Sequence, residues 1–135
     1  MEKGKNLYLG VVADDFTGAG DAASFLRAAG LNTLLLSGVP RAEMKEECDA
    51  VVIALKSRSA PVSQAVSESL EAFRWMERAG AQKLYFKYCS TFDSTPAGNI
   101  GPVADRMLEE LGQPYTLLCP ALPVNGRTVR EGVLY

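Results

Sequence analysis

Short apolar runs alternate with amphipathic segments along most of this chain. The apolar runs have the length of buried strands and lie at residues 7–13, 32–36, 50–55, 83–86 and 115–118. The segments between them predict helices at about 21–29, 41–47, 61–79 and 100–111. Strands that alternate with helices build parallel sheets covered on both faces. The pattern therefore predicts an α/β fold with an open, mostly parallel five-stranded sheet and helices on both faces, a Rossmann-like arrangement of three layers.

Glycine and proline set the predicted ends of the helices. Gly30 follows the first helix as a typical terminating residue, and Pro61 suits the first position of the next long helix. Pro102 is expected to open the helix that ends at Gly112. With the first helix beginning near Asp21, the stretch before it is predicted to be a glycine-rich turn.

Residues 119–135 depart from this alternation. Asn125-Gly126 is a strong turn signal, and strand character returns around Glu131-Gly132. Another strand is predicted near Val133, where the sequence stops. We therefore expect residues 1–135 to form one domain that is truncated near its C-terminal end.

Composition narrows the function classes. The chain has 135 residues, 47% of them hydrophobic, and a net charge of -2, which argues against nucleic-acid binding through bulk electrostatics. No apolar run has the roughly 20 residues of a membrane span, so no membrane partner is expected. The three cysteines lack metal spacing and predict reduced thiols in a cytoplasmic protein. Because histidine is absent, acid–base chemistry must fall to carboxylates, lysine, tyrosine or cysteine.

Polar residues gather where the predicted strands end. Asp14 and Asp15 follow the first strand, Arg58 follows the third, and Lys87 follows the fourth. Carboxyl ends of parallel strands meet at one edge, where open α/β sheets bind ligands. Neighbouring carboxylates can raise one another's pKa, which suits a general base, while cations can hold a ligand carboxylate. This edge is the predicted binding site, and the polar loop from Lys87 to Pro102 is its densest part.

Each of these features also has a structural interpretation. Asp14-Asp15 could be a helix cap with a surface charge, and Arg58, Lys87 and Arg127 could be solvated cations. The polar residues of the long loop could be turn and cap residues. A phospho-receiver domain would need an aspartate after the third strand, where Leu55-Lys56 stands instead. No metal constellation or phosphate-binding P-loop is present.

Residues 17–21, Thr-Gly-Ala-Gly-Asp, resemble the anion-hole segment of the ribokinase-like sugar kinases. In those proteins the glycines expose a helix N-terminus to phosphate charge, and the aspartate is the base. A glycine-rich turn into a helix remains the alternative, because that family carries the segment late in its chain.

Four separated motifs resemble the four-carbon acid sugar kinase family, and in particular its 3-oxo-tetronate kinase branch. They lie in the same order, at residues 13–19, 56–58, 86–103 and 119–128. The resemblance implies an N-terminal sugar-acid-binding domain of an ATP-dependent kinase that phosphorylates the 4-hydroxyl of a four-carbon sugar acid such as 3-oxo-tetronate. A stand-alone sugar-acid-binding module without catalysis is the alternative for these residues.

The resemblance also implies roles for single residues. Asp14 and Asp15 would be catalytic, one of them as the base. The substrate-binding set would be Thr17, Arg58, Lys87, Ser90, Thr91, Asp93, Asn99, Asn125 and Arg127. ATP with Mg²⁺ would be bound mainly by a C-terminal nucleotide-binding domain, so this chain alone is expected to hold no cofactor or metal and to be inactive. A homo-oligomer is a further expected partner.

Overall fold

The computed structural model describes residues 7–89, 92 and 95–135. Its larger sheet contains β1 (Leu9–Ala13), β2 (Thr33–Ser37), β3 (Ala50–Ala54) and β4 (Lys83–Lys87). Three helices follow these strands: α1 (Phe16–Ala28), α2 (Val62–Arg78) and α3 (Ile100–Leu111). A 3₁₀ turn at Pro123–Asn125 precedes the short strands β5 (Val129–Arg130) and β6 (Val133–Leu134). The predicted α/β class and the first four predicted strands are confirmed.

The large sheet is parallel throughout, with the strand order β2-β3-β1-β4. The connection from β1 to β2 passes beyond β3, and the connection from β3 to β4 passes beyond β1 in the opposite direction. Right-handed crossovers therefore place α1 and α2 on opposite faces. The chains that leave the neighbouring strands β1 and β3 diverge, which opens a crevice at their carboxyl ends.

A separate core covers each face of the sheet. On one face Val12, Val51 and Ile53 pack against Phe73 and Met76 of α2. On the other face smaller side chains pack together and let α1 lie close to the sheet, namely Val11, Ala13, Ala19, Ala23, Val52 and Ala54. Alternate residues of β1 and β3 serve opposite cores because side chains alternate across a strand. Both strands are consequently buried on both sides.

The first helix begins earlier than predicted. It starts at Phe16 rather than Asp21, because Asp15 caps it by accepting a hydrogen bond from the backbone N–H of Gly18. Gly18 and Ala19 are buried against the sheet. The glycines of residues 17–21 therefore lie inside α1, and the predicted turn there was wrong. At its other end, Gly30 has a φ of +92° and ends the helix as expected.

The predicted helix at 41–47 is wrong. This stretch contains no helix in the structure. Met44 is buried in the core, and the carbonyl of Ala42 accepts a 2.9 Å hydrogen bond from Trp75 Nε1. A segment this short has little intrinsic helicity, so these tertiary contacts set its irregular path. Trp75 itself is buried, with 5% of its surface exposed.

The predicted fifth strand at 115–118 is also wrong. These residues pair with no strand in the described chain, and Leu117 is 90% exposed. A cleft of about 530 Å³ separates this segment from β4 and α3. β-Propensity depends on pairing and packing, and here the apolar run has neither. The strand predicted near Val133 is confirmed as β6, which forms a hairpin with β5.

No helix in the described part of the chain is long and apolar enough to cross a membrane. The cysteines at 48, 89 and 119 carry free thiols.

β1 packs so closely against α2 that Gly10 has no room for a side chain. A Cβ at this position would lie 2.5 Å from Met76 Sδ and 3.1 Å from Leu84 Cδ2. We expect Gly10→Ala to lower the free energy of unfolding by about 1–3 kcal/mol through overpacking, measured by urea denaturation. Gly101→Ala is the control, because a Cβ there meets nothing within 4 Å. Equal stability of the two variants would contradict the tight contact.

Candidate functional site

Three neighbouring strands end level with one another at the proposed site. Ala13 is in register with Ala54 of β3 and with Lys87 of β4. The residue that follows, Asp14, donates its backbone N–H to the Lys87 carbonyl at 3.2 Å. Its own carbonyl accepts the N–H groups of Ser57 and Arg58, each at 3.1 Å. The sheet thus continues one residue past its strands and brings the predicted residues together.

The Asp14 side chain is held inside this junction. It is 4% exposed and is hydrogen-bonded by the backbone N–H of Cys89. Burial raises its pKa from 3.8 to about 6, an effect to which Asp15 adds and which the Cys89 N–H, Lys87 and Arg58 oppose. Its Oδ1 has no hydrogen-bond partner among the described residues. A carboxyl with a pKa this close to neutrality can take up and release a proton near pH 7.

Asp15 has a different environment from Asp14. Its Oδ1 accepts the Gly18 N–H at 2.5 Å, which caps α1. Its Oδ2 lies 3.6 Å from Nη1 of Arg58, and both side chains are partly exposed. The helix-cap interpretation of Asp15 is therefore correct as far as Oδ1 is concerned, while Oδ2 faces a cation at the mouth of the site. The two adjacent aspartates are chemically unequal.

Lys87 and Gly18 lie close together at this edge. Lys87 Nζ donates to the Tyr88 carbonyl at 2.6 Å and stands 3.5 Å from the position that a Cβ on Gly18 would occupy. Lys87 and Arg58 each favour ionisation of Asp14, so both cations act on the same carboxyl. The predicted cluster of two carboxylates and two cations is therefore present in space.

Two loop residues complete the cluster in ways that the motifs did not indicate. Ser57 is 1% exposed, and its Oγ has no hydrogen-bond partner in the described part of the chain. The sequence feature that could have identified Ser57 is its hydroxyl, which comes soon after a buried strand. Cys89 is buried and supplies its backbone N–H to Asp14. No sequence signal identifies a backbone donor.

The other predicted site residues vary in placement. Thr17 is exposed in the first turn of α1. Asn99 has its amide nitrogen against carbonyl oxygens of the loop after β3. The described backbone hydrogen bonds of Asn125 and Arg127 go to Leu122, within the C-terminal segment. Ser90, Thr91 and Asp93 lie outside the described residues.

Residues 17–21 do not have the geometry of an exposed anion hole. The Gly18 N–H is taken by the Asp15 carboxylate, and Asp21 is exposed in the second turn of α1. No group of three potential metal-ligating side chains occurs among the described residues.

A known protein family matches most of the chain. Residues 9–135 match the family described as a sugar-binding N-terminal domain. The chain belongs to this family. A 3-oxo-tetronate kinase of Brucella melitensis is 57% identical to this sugar-binding domain over 130 residues, which are 96% of the chain and 30% of the relative. The predicted relation to the 3-oxo-tetronate kinases is confirmed, and the chain spans under a third of that relative's length.

Solved structures share the fold. A crystal structure of a Haemophilus influenzae protein has a TM-score of 0.90 and 56% identity, covering 93% of this chain and 30% of that one. A domain of unknown function from Bordetella bronchiseptica has a TM-score of 0.82 and 33% identity, covering 95% of this chain and 32% of that one. The latter structure contains bound citrate and is a domain-swapped dimer.

The raised pKa of Asp14 predicts a pH-dependent stability. The folded state binds the Asp14 proton more tightly than the unfolded state does. Asp14 therefore makes its full contribution to the free energy of unfolding below pH 3.8, and this contribution is lost as the pH rises through about 6. The difference is about 3 kcal/mol. Asp14→Asn lacks the titration, so its unfolding free energy relative to wild type should rise by about 2–3 kcal/mol from acid to neutral pH. Urea denaturation across this range measures the difference, and a constant difference would contradict the raised pKa.

Gly18 is predicted to be required by the Asp15 cap. A Cβ on Gly18 would lie 2.6 Å from Asp15 Oδ1, whereas a Cβ on Gly20 would meet nothing within 4 Å. Both changes gain up to about 1 kcal/mol of helix propensity, but only Gly18→Ala should lose the cap, at a cost of about 1 kcal/mol. Gly20→Ala should therefore have the higher melting temperature in calorimetry. Equal melting temperatures would show that the cap tolerates the methyl group.

Proposed function

We propose that this domain binds a four-carbon sugar acid such as 3-oxo-tetronate, as the acceptor-binding part of an ATP-dependent kinase that phosphorylates its 4-hydroxyl. The proposal is carried by the convergence of Asp14, Asp15, Arg58 and Lys87 at the ends of three adjacent strands. The name of a relative with 57% identity supports the substrate class. The citrate bound to the Bordetella relative supports a ligand that carries carboxylate and hydroxyl groups.

Arg58 and Lys87 are the proposed partners of the ligand carboxylate. The Arg58 guanidinium is partly exposed, and its planar group of donors matches a carboxylate. Lys87, at the end of the neighbouring strand β4, supplies a second positive charge close to Asp14. Thr17, Asn125 and Arg127, together with Ser90, Thr91 and Asp93, remain proposed ligand contacts.

Asp14 is the proposed general base. Its raised pKa and its oxygen without a described partner support this role, whereas Asp15 is engaged as a cap and ion-pair partner. In the proposed reaction the 4-hydroxyl oxygen forms a bond to the γ-phosphorus of ATP, and the bond from that phosphorus to the bridging oxygen breaks. ADP leaves with the bonding electron pair, and the hydroxyl proton passes to the Asp14 carboxylate. This domain contributes the position of the acceptor and the proton transfer.

The nucleotide and its Mg²⁺ are proposed to be held by a C-terminal nucleotide-binding domain. The described residues of this chain contain no side-chain cluster suited to a metal ion, so no step is assigned to Mg²⁺ here.

A cytoplasmic location is proposed with this activity. Self-association is proposed as well, because the Bordetella relative is a domain-swapped dimer and the segment after α3 exposes large apolar side chains.

Calorimetric titration with 3-oxo-tetronate, threonate and erythronate, with and without ATP, tests the proposal. We expect one sugar acid to bind in the absence of ATP, with no ATP turnover by this chain alone. Arg58→Ala should weaken that binding about 10- to 100-fold, the usual loss for a charged hydrogen-bonding partner.

Arg106→Ala is the matched control. Arg106 is a partly exposed arginine that pairs with Glu109 and Glu110 on α3, so its removal should leave the affinity unchanged. Binding that is unaffected by Arg58→Ala would refute the carboxylate assignment. Binding with full affinity but no turnover after rejoining the C-terminal domain would favour the alternative, a binding module without catalysis.

A further inference from the structure

We propose that Asn99 is a positioning residue of this site, which acts on the ligand through the loop after β3 rather than by touching the ligand. The identity of this ligand rests on the proposed function. The contacts that support the positioning role do not depend on it.

The Asn99 amide binds three carbonyl groups of one loop. Its Nδ2 lies 2.7 Å from the carbonyl oxygen of Ser57, 3.2 Å from that of Arg58 and 2.9 Å from that of Ala60. Only the NH₂ end of the amide can donate, and its two N–H groups serve the three acceptors with one N–H shared between two of them, so these contacts also fix the orientation of the amide group. These hydrogen bonds therefore tie Asn99 to a loop that lies 39 or more residues earlier in the sequence.

The same loop is held from its other side by Asp14. The N–H groups of Ser57 and Arg58 donate to the Asp14 carbonyl, while their carbonyl groups accept from Asn99. Both peptide polar groups of two successive residues are thereby fixed. Arg58 extends from this clamped backbone to Asp15, with 3.6 Å between Nη1 and Oδ2.

The Asn99 side chain does not cap its own helix, which agrees with a role in the neighbouring loop. Asn99 stands at the N-cap of α3, where asparagine usually accepts a hydrogen bond from the helix backbone. Its side chain makes no such capping bond. The amide instead links the start of α3 to the loop that carries Ser57 and Arg58.

Titration of the Asp14 carboxyl by nuclear magnetic resonance tests this link without any ligand. Asp14 is faced by Asp15, Lys87, Arg58 and the Cys89 N–H, and Arg58 is one of the groups that lower its pKa. If Asn99 positions Arg58, Asn99→Ala should raise the pKa of Asp14 in the same direction as Arg58→Ala. The double variant should then show no larger shift than Arg58→Ala alone.

The affinity for the sugar acid provides the second readout. We expect Asn99→Ala to weaken binding about tenfold when Arg58 is present, and to have little further effect when Arg58 is already alanine. A residue that touched the ligand directly would weaken binding in both backgrounds. If no sugar acid binds to wild type, the proposed function fails, while the Asp14 titration still decides the positioning role.

Asn32→Ala is the matched control. The Asn32 amide likewise donates to a loop carbonyl, that of Glu47 at 3.2 Å, but it lies at the amino end of β2. This variant should change neither the Asp14 titration nor the affinity. Should Asn99→Ala fail to fold, Asn99→Gln replaces it, since it keeps the donors but displaces them and should give smaller shifts in the same directions. An unchanged Asp14 titration together with additive affinity losses would overturn the proposal.

Discussion

The backbone carbonyl of Asp14 holds the site together. It accepts two N–H groups from the loop after β3, while the N–H of the same residue binds the carbonyl of Lys87 at the end of β4. Three strand ends are thereby joined at one residue. The charges that follow these strands converge because the sheet is parallel and its strands end in register. Without this junction, the loop that carries Arg58 would be held from one side, by the Asn99 amide.

The junction also explains why the two adjacent aspartates differ. Asp14 continues the buried strand and keeps its carboxyl out of water, which raises its pKa to about 6. Asp15 already belongs to the start of α1 and uses one oxygen as a cap. A buried carboxylate destabilises the fold when it is ionised. The location of such a group beside the cations Lys87 and Arg58 is typical of functional sites, where stability is often lower than it could be.

The C-terminal part of the chain has a looser relation to the sheet. The segment after α3 runs beside β4 without pairing with it and leaves an apolar cleft lined by Leu84, Tyr85, Met107, Leu111, Tyr115 and Leu118. Burial in this region raises the pKa of Tyr88 to about 12, although the Cys119 N–H opposes the shift. In the described chain β4 is therefore an edge strand, and the unpaired run at 115–118 is the largest departure from the predicted sheet.

The sequence by itself determined the α/β class, the four central strands and the cluster of charges at their ends. Apolar runs bounded by turn residues specify strands locally, and the parallel topology follows from their alternation with helices. The early start of α1 needed the tertiary structure, because Asp15 and the buried Gly18 override the turn signal of two glycines. The path of residues 41–47 depended on Met44 and Trp75 for the same reason. The backbone junction at Asp14 and the contacts of Asn99 depend on groups 39 or more residues apart in sequence, which only folding brings within hydrogen-bonding distance.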